Sequence, residues 1–300
     1  MVALCRNPES LADLRHPGLR VVAGDLRRPS SCAGLPPPGG SVFHLASVRN
    51  HPRSHVREMA EINVGATMAL ARQARERGVA RFVYVATALI YGSSEGGEVR
   101  SEADGFGYAP GSYALSKRVV VELIRNLVRE GLPAVVACPS IVFGPDHPSH
   151  PNRVTSEIRR LLRGSPRIFL AGGRQVRNLV YVEDVVRGLL AAEERGAVGE
   201  DYLLGGEEVS PRDFAERVLA IAGSRPGPVL SLPAAPALGI ASLVDRWPGR
   251  REGYATAVRN LLLEWRFSSA RAEKDLGYRP RPLSEGLART IHWLRSREGR

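Results

Sequence analysis

The chain has 300 residues, 43% of them hydrophobic and 24% charged, the composition of a soluble globular protein with core enough for one large domain or two modest ones. Its formal charge of +11 comes from arginine spread along the whole length, Lys117 and Lys274 being the only lysines. No basic run is interleaved with aromatics, no apolar run approaches a membrane span, and no signal-peptide order opens the chain; nucleic-acid and membrane partners are therefore not expected. Cys5, Cys32 and Cys138 are odd in number and lack metal-ligand spacing, which predicts reduced thiols in a cytoplasmic protein.

Val2 to Cys5 reads as a short buried strand closed by Arg6-Asn7-Pro8. A short helix over Ser10–Leu14 and a strand over Leu19–Ala23 follow, the strand ending in the turn Gly24-Asp25. After a Pro/Gly-rich connection, Ser41–Ala46 is another strand. Ile62, Ala66, Ala69, Leu70 and Ala74 give helical periodicity over Glu58–Arg77, and Gly78 stops it. Arg81–Thr87 is a strand, Ser93–Gly111 a polar loop, and the helix bearing Tyr113 and Lys117 runs to about Arg129. A strand over Ala134–Val142 ends at Phe143-Gly144-Pro145. Strands alternating with helices predict a parallel sheet covered on both faces, with ligands at the carboxyl ends of its strands.

Beyond Pro145 the character changes. A loop at His147–Pro151, a helix near Thr155–Arg163 and Ala171-Gly172-Gly173 lead to a strand that passes into a helix ending near Arg195. Tyr202–Leu204 reads as a last strand, followed from Ser210 by helices and proline-broken loops and a closing helix over Leu283–Leu294.

Tyr113 and Lys117 stand four apart, so on a helix they share a face one turn from each other. A phenol near its ordinary pKa is too weak an acid-base group for neutral pH, and an ammonium beside it in a cleft lowers that value. Such a pair occurs by chance in many helices, and its weight comes from the motifs around it.

Those motifs are Gly24-Asp25-Leu26, His44-Leu45-Ala46, Asn63-Val64-x-x-Thr67, Thr87 with Tyr91-Gly92, Tyr113-x-x-x-Lys117, Pro139 to Pro145, Arg177 to Asp184, Leu204-Gly205-Gly206, and Ser268 to Pro280. In this order and spacing the chain resembles the extended short-chain dehydrogenase/reductases, the NAD(P)-dependent epimerase/dehydratase group, over nearly its whole length. Phe267–Pro282 is most similar to dihydroflavonol-reductase-like and hopanoid-associated sugar-epimerase-like members. The resemblance implies an α/β fold: a Rossmann-type doubly wound parallel sheet over 1–145 and 176–206, and a small α+β substrate lobe over 146–175 and 207–300.

It also implies roles. Tyr113 is the general acid-base, Lys117 lowers its pKa and holds the nicotinamide ribose, and Thr87 hydrogen-bonds the substrate oxygen where the hydride leaves or arrives. Asp25 and Leu26 lie at the adenine. Leu45, Ala46 and Ser47 let the backbone approach the cofactor, Asn63 is structural in its helix, and Val85, Pro139, Ile141 and Val142 pass near the nicotinamide. Ala88, Ser140 and Arg177 join Thr87 on the substrate side, with Arg177 at a diphosphate. His44 is a structural strand-end histidine. Arginine at the end of the first visible strand suits the 2′-phosphate of NADP, so Arg6 favours NADP over NAD. The implied partners are a small-molecule substrate and a second copy, paired through the helices carrying Asn63 and Tyr113, with Met59, Leu70 and Leu123 on that face.

The chain departs from the family in three places. The family's opening strand, glycine-rich turn and helix, which cradle the pyrophosphate, have no counterpart, since Val2–Cys5 matches its second strand. The absent strand is central, so the strands at Val2 and Val21 have nothing joining them to those at Val42 and Val83. Two readings follow: a start roughly thirty residues upstream, the length of a βα unit, or a remnant that acts as a binding or scaffold protein. As it stands the chain is expected to bind NAD(P) weakly. Second, the arginine and asparagine that contact the nucleotide in sugar-nucleotide epimerases are matched by Cys138 and Ile141. Third, Ala88 and Leu89 stand where dTDP-glucose dehydratases carry Asp and Glu, which leaves reduction or epimerisation and removes dehydration.

Overall fold

The computed structural model describes the chain apart from Asp13, Arg15, Ala33 and residues 50–55, 148–150, 247–252 and 299–300. The loop read at His147–Pro151 therefore lies mostly outside the described residues. Four parallel strands form the central sheet in the order β3-β4-β5-β9, with β3 Ser41–His44, β4 Arg81–Val85, β5 Ala134–Pro139 and β9 Asp201–Leu204. Every residue of β5 and β9 is buried. That follows from a sheet covered on both sides, where an apolar run needs no polar alternation.

The period of two still decides which helix each residue meets. Phe82, Tyr84, Val136 and Cys138 turn to the cluster built on α2 (Thr67–Glu76) and α3 (Ser112–Arg129). Val83, Val135 and Ala137 turn to α5 (Val182–Arg195) and α9 (Ala270–Leu276). Gly188 lets α5 close onto the sheet: a Cβ there would lie 2.9 Å from Leu204 and 3.2 Å from Tyr278. The helix expected over Glu58–Arg77 is continuous in course, from α1 (Val56–Met59) through a π-helical stretch, Ala60–Ala66, into α2.

β1 (Val2–Cys5) and β2 (Arg20–Ala23) pair in parallel as a separate sheet with no strand bond to the central one. A third sheet, β10-β8-β6, joins Glu207–Val209, Arg177–Tyr181 and Ile141–Phe143. β7 (Arg167–Leu170) pairs with β11 (Val229–Leu232). With α4 (Arg153–Leu162), α6 (Pro211–Ala222) and α10 (Leu283–Glu298) these strands enclose a second core around Phe143, Ile158, Leu179 and Phe214. A packed pair of helices, α7 (Ala234–Asp245) and α8 (Tyr254–Leu262), completes this side.

Three expectations change. The strand read over Ala134–Val142 breaks at Ser140, whose N–H goes to Leu204 O at 3.1 Å, and its two halves enter different sheets. The sheet β10-β8-β6 consequently draws on both expected lobes. Tyr202–Leu204 is not the last strand, because β10 and β11 follow it. Met59, expected on a dimer face, is buried at 3% exposure with Ser112 Oγ against its sulfur. The exposed apolar residues of α3 are Leu115 and Val119.

Candidate active site

Gly111, at φ 98°, turns the chain into α3, and the buried stripe Ala114, Lys117, Val121, Ile124 seats that helix on the sheet. Lys117 is thereby carried inside, 2% exposed, with Tyr113 half-buried one turn earlier. The Lys117 ammonium donates to Val85 O at 2.8 Å, lying 4.8 Å from the ring centroid of Tyr84 and 5.9 Å from that of Tyr113. Burial brings its pKa down to about 8. Tyr113 is pushed up by burial, while a hydrogen bond with Ser47 and the charge of Arg49 pull it back. Ser47 and Arg49 thus favour the phenolate, against the net upward push of burial.

Thr87 follows β4 and caps the short 3-10 turn Ala88–Tyr91, accepting from Leu89 N–H at 3.4 Å. Asn63 sits in the π-helical stretch and clamps the loop after β3: Val48 N–H donates to its Oδ1 at 2.7 Å, while its Nδ2 donates to Val48 O at 2.8 Å and to Ser116 Oγ at 3.0 Å. The clamp fixes the residue between Ser47 and Arg49. His44 pairs with Thr67 Oγ1 at 2.7 Å, and burial holds it near a pKa of about 4, so it is a neutral structural group.

Tyr113, Lys117, Thr87, Ser47 and Arg49 open onto one cavity of about 470 Å³. Of the sequence-predicted set, it brings together Leu45, Ser47, Val85, Thr87, Ala88, Tyr113, Lys117, Pro139, Ser140, Ile141, Val142 and Arg177. It does not include Asn63, Ala46, Arg6, Asp25 or Leu26. Ala46 is exposed beside Leu45, Arg6 is exposed after β1, and Leu26 is half-buried. Asp25 is taken by Arg27, whose Nη2 lies 2.5 Å from Oδ2 and which holds that carboxyl down at about 2.

Sequence reasoning missed Arg49, the start of α4 with its capping residue (Asn152, then Arg153, Val154 and Glu157), and the stretch Asn260, Leu261, Trp265 and Phe267 that returns to the cavity. Trp265 bridges to Arg177 and donates its indole N–H to Asn260 O at 3.0 Å. Two polar atoms on the wall, Ser140 Oγ and Asn260 Oδ1, are buried with no hydrogen-bond partner among the described residues. A wall with unused donors and acceptors is suited to a polar ligand. Beyond Arg177 a second cavity, of about 300 Å³, shares Arg153, Glu157, Arg177 and Leu261 with the first and adds Arg160, Arg167 and Gln175.

The residues fit a dinucleotide at its nicotinamide-ribose end. Among the described residues Lys117 donates one side-chain hydrogen bond, to Val85 O, and it lines the cavity, so donors remain for a ligand's hydroxyls. Leu45 stays 57% exposed at the carboxyl end of β3, beside the same opening. The turn after β1, Arg6-Asn7-Pro8, offers no glycine-rich cradle.

Comparison with known proteins agrees with this geometry. Residues 2–205 match the sequence model of the NAD dependent epimerase/dehydratase family. A dTDP-glucose 4,6-dehydratase of Streptomyces griseus is 30% identical over 295 residues, covering 96% of this chain and 81% of that protein. Sterol demethylase protein B of Methylococcus capsulatus is 28% identical over 306 residues, covering 98% and 90%. Among solved structures, DesIV, a dTDP-glucose 4,6-dehydratase of Streptomyces venezuelae with NAD bound, superposes with a TM-score of 0.79 at 26% identity, covering 99% of this chain and 88% of that one. Sequence, sheet order and the cavity on Tyr113 and Lys117 lead to one placement: the chain belongs to the NAD-dependent epimerase/dehydratase family of enzymes.

Proposed function

We propose that this protein reduces or epimerises a carbinol or ketone carbon of a sugar nucleotide, with Tyr113 as the acid-base and without dehydration. The observation that carries the reading is the cavity itself. It joins Tyr113, Thr87 and Lys117 to Arg177, and its lining includes Ala88 and Leu89, which by resemblance stand where dTDP-glucose dehydratases carry Asp and Glu. Glu157, on α4 beside Arg177, is the one carboxylate on the described wall. The dinucleotide, when bound, takes or gives the hydride. Burial keeps the Tyr113 phenol protonated, so it starts as an acid that gives its proton to a carbonyl oxygen held by Thr87. In the opposite direction the phenolate takes the hydroxyl proton, and the hydrogen bond with Ser47 and the charge of Arg49 stabilise it. Lys117 holds the ribose. Arg153 and Arg177 take the diphosphate by charge-assisted hydrogen bonds, and the second cavity has room for the nucleoside.

Arg6, exposed after β1, favours NADP. Three free cysteines agree with action in the cytoplasm, and no helix among the described residues is long and apolar enough to cross a membrane. The test is calorimetric titration with NADPH and NADH, followed by conversion assays on UDP- and dTDP-hexoses, for the wild type and Tyr113→Phe. The variant is expected to bind cofactor as the wild type does and to lose turnover. Retained turnover in Tyr113→Phe refutes the assignment.

A further inference from the structure

Glu157 has no part in the chemistry above, yet it stands at the junction of the two cavities and also borders a small cleft with Ser210, Pro211 and Phe214. On α4 the buried residues Ile158 and Leu161 face the second core, and Glu157 lies at the edge of that stripe. It is half-buried, as is Arg177 opposite. The two feel each other's charge, but among the described residues neither side chain makes a hydrogen bond or ion pair. Burial pushes the Glu157 carboxyl up, against the pull of Arg177, Arg153 and Arg160. Two half-desolvated charges left without a protein partner are costly unless a ligand completes them.

Arg177 calls for an acceptor, which the diphosphate of the proposed substrate supplies. A carboxylate at the same place would repel a diphosphate unless it faces donors, and the donors that adjoin the diphosphate of a sugar nucleotide are hydroxyls, the N–H groups of the base lying beyond the ribose. The small cleft and the second cavity, which Glu157 and Arg177 both line, do not include Tyr113, so this end leads away from the reacting carbon. The hydroxyls at that end belong to the nucleoside ribose. Carboxylates read ribose hydroxyls in the same way at the adenosine end of dinucleotide sites.

We propose that Glu157 accepts the ribose hydroxyls of the nucleoside diphosphate and so selects ribonucleoside over 2′-deoxyribonucleoside sugar substrates. The inference rests on the sugar-nucleotide reading, and the test separates the two. UDP and dUDP, which differ by the 2′-hydroxyl alone, are titrated calorimetrically into the full chain, the wild type and Glu157→Gln. Loss of a hydrogen bond to a charged group predicts that wild type binds UDP about tenfold more tightly than dUDP. In Glu157→Gln the gap should narrow to about twofold, with dUDP binding no weaker than in the wild type. Equal binding of UDP and dUDP by the wild type overturns the selector and leaves the sugar-nucleotide reading standing. A gap that survives in Glu157→Gln overturns it as well. Binding of neither by the wild type at millimolar concentration overturns the sugar-nucleotide reading and the selector with it.

Discussion

Lys117→Met should make the protein more stable at neutral pH. The side chain is 2% exposed, and burial brings its pKa from 10.5 to about 8. That difference corresponds to about 3 kcal/mol disfavouring the ammonium in the folded state. Methionine fills a similar volume without the charge, but it forfeits the hydrogen bond to Val85 O, a loss of about 1 kcal/mol. A net gain of about 2 kcal/mol at pH 7 follows. The sign of the pH dependence is set by linkage. The unfolded chain holds the proton more tightly than the fold does, so the penalty is complete below about pH 8 and fades as pH rises toward 10.5. Urea unfolding of wild type and Lys117→Met at pH 7 and pH 10 tests this. The variant's advantage should be largest at pH 7 and should shrink or reverse at pH 10, where the Val85 bond is the remaining difference. A variant less stable than wild type at pH 7, or a difference independent of pH, would refute the reasoning.

Asn63→Ala removes the clamp on Val48 and leaves its backbone groups without partners, so a loss of about 2 kcal/mol in chemical denaturation is expected. Because the clamped residue lies between Ser47 and Arg49, kcat should fall several-fold more than KM rises; an unchanged kcat would reduce the clamp to a purely structural one. The wild type should sediment as a homodimer through α3, and Leu115→Glu with Val119→Glu should sediment as a monomer, since these are its exposed apolar residues; a monomeric wild type would end that reading.

Much of this architecture was legible in the chain because local and global signals agree where the sheet is deepest. The strand beginning at Arg81 and the helix from Tyr113 to Arg129 stand where apolar period and stop signals put them, whereas Val2–Cys5, expected as a buried strand, forms but has no buried residue. The break at Ser140 has a mark that a single strand over Ala134–Val142 passes over: Pro139-Ser140 interrupts the apolar run. Where the second half goes is settled by the hydrogen bond from Ser140 N–H to Leu204 O, which only the folded chain supplies. β7 and β11 are short, carry little alternation and lie among prolines, so neither stood out. The cavity shows the same division. Tyr113, Lys117 and Thr87 come from motifs, whereas Arg49 and Glu157 are single charges among many that look like solvated surface in sequence. Trp265 and Phe267 reach the site from far along the chain, a placement that no local pattern announces.

The separate bonding of β1–β2 bears on what cofactor affinity would measure. The residues assigned to the adenine end, Arg6, Asp25 and Leu26, ride on the small sheet, while Tyr113 and Lys117 ride on the large one. A ligand spanning both works as a strut between two pieces of scaffold that share no ladder of backbone bonds. Part of its binding energy goes to fixing one piece against the other, a cost that ligands resting on a single rigid frame do not carry. The nicotinamide end can therefore be well formed while the whole dinucleotide binds weakly, and anything that braces β1–β2 against β3 would tighten binding without touching a single contact residue.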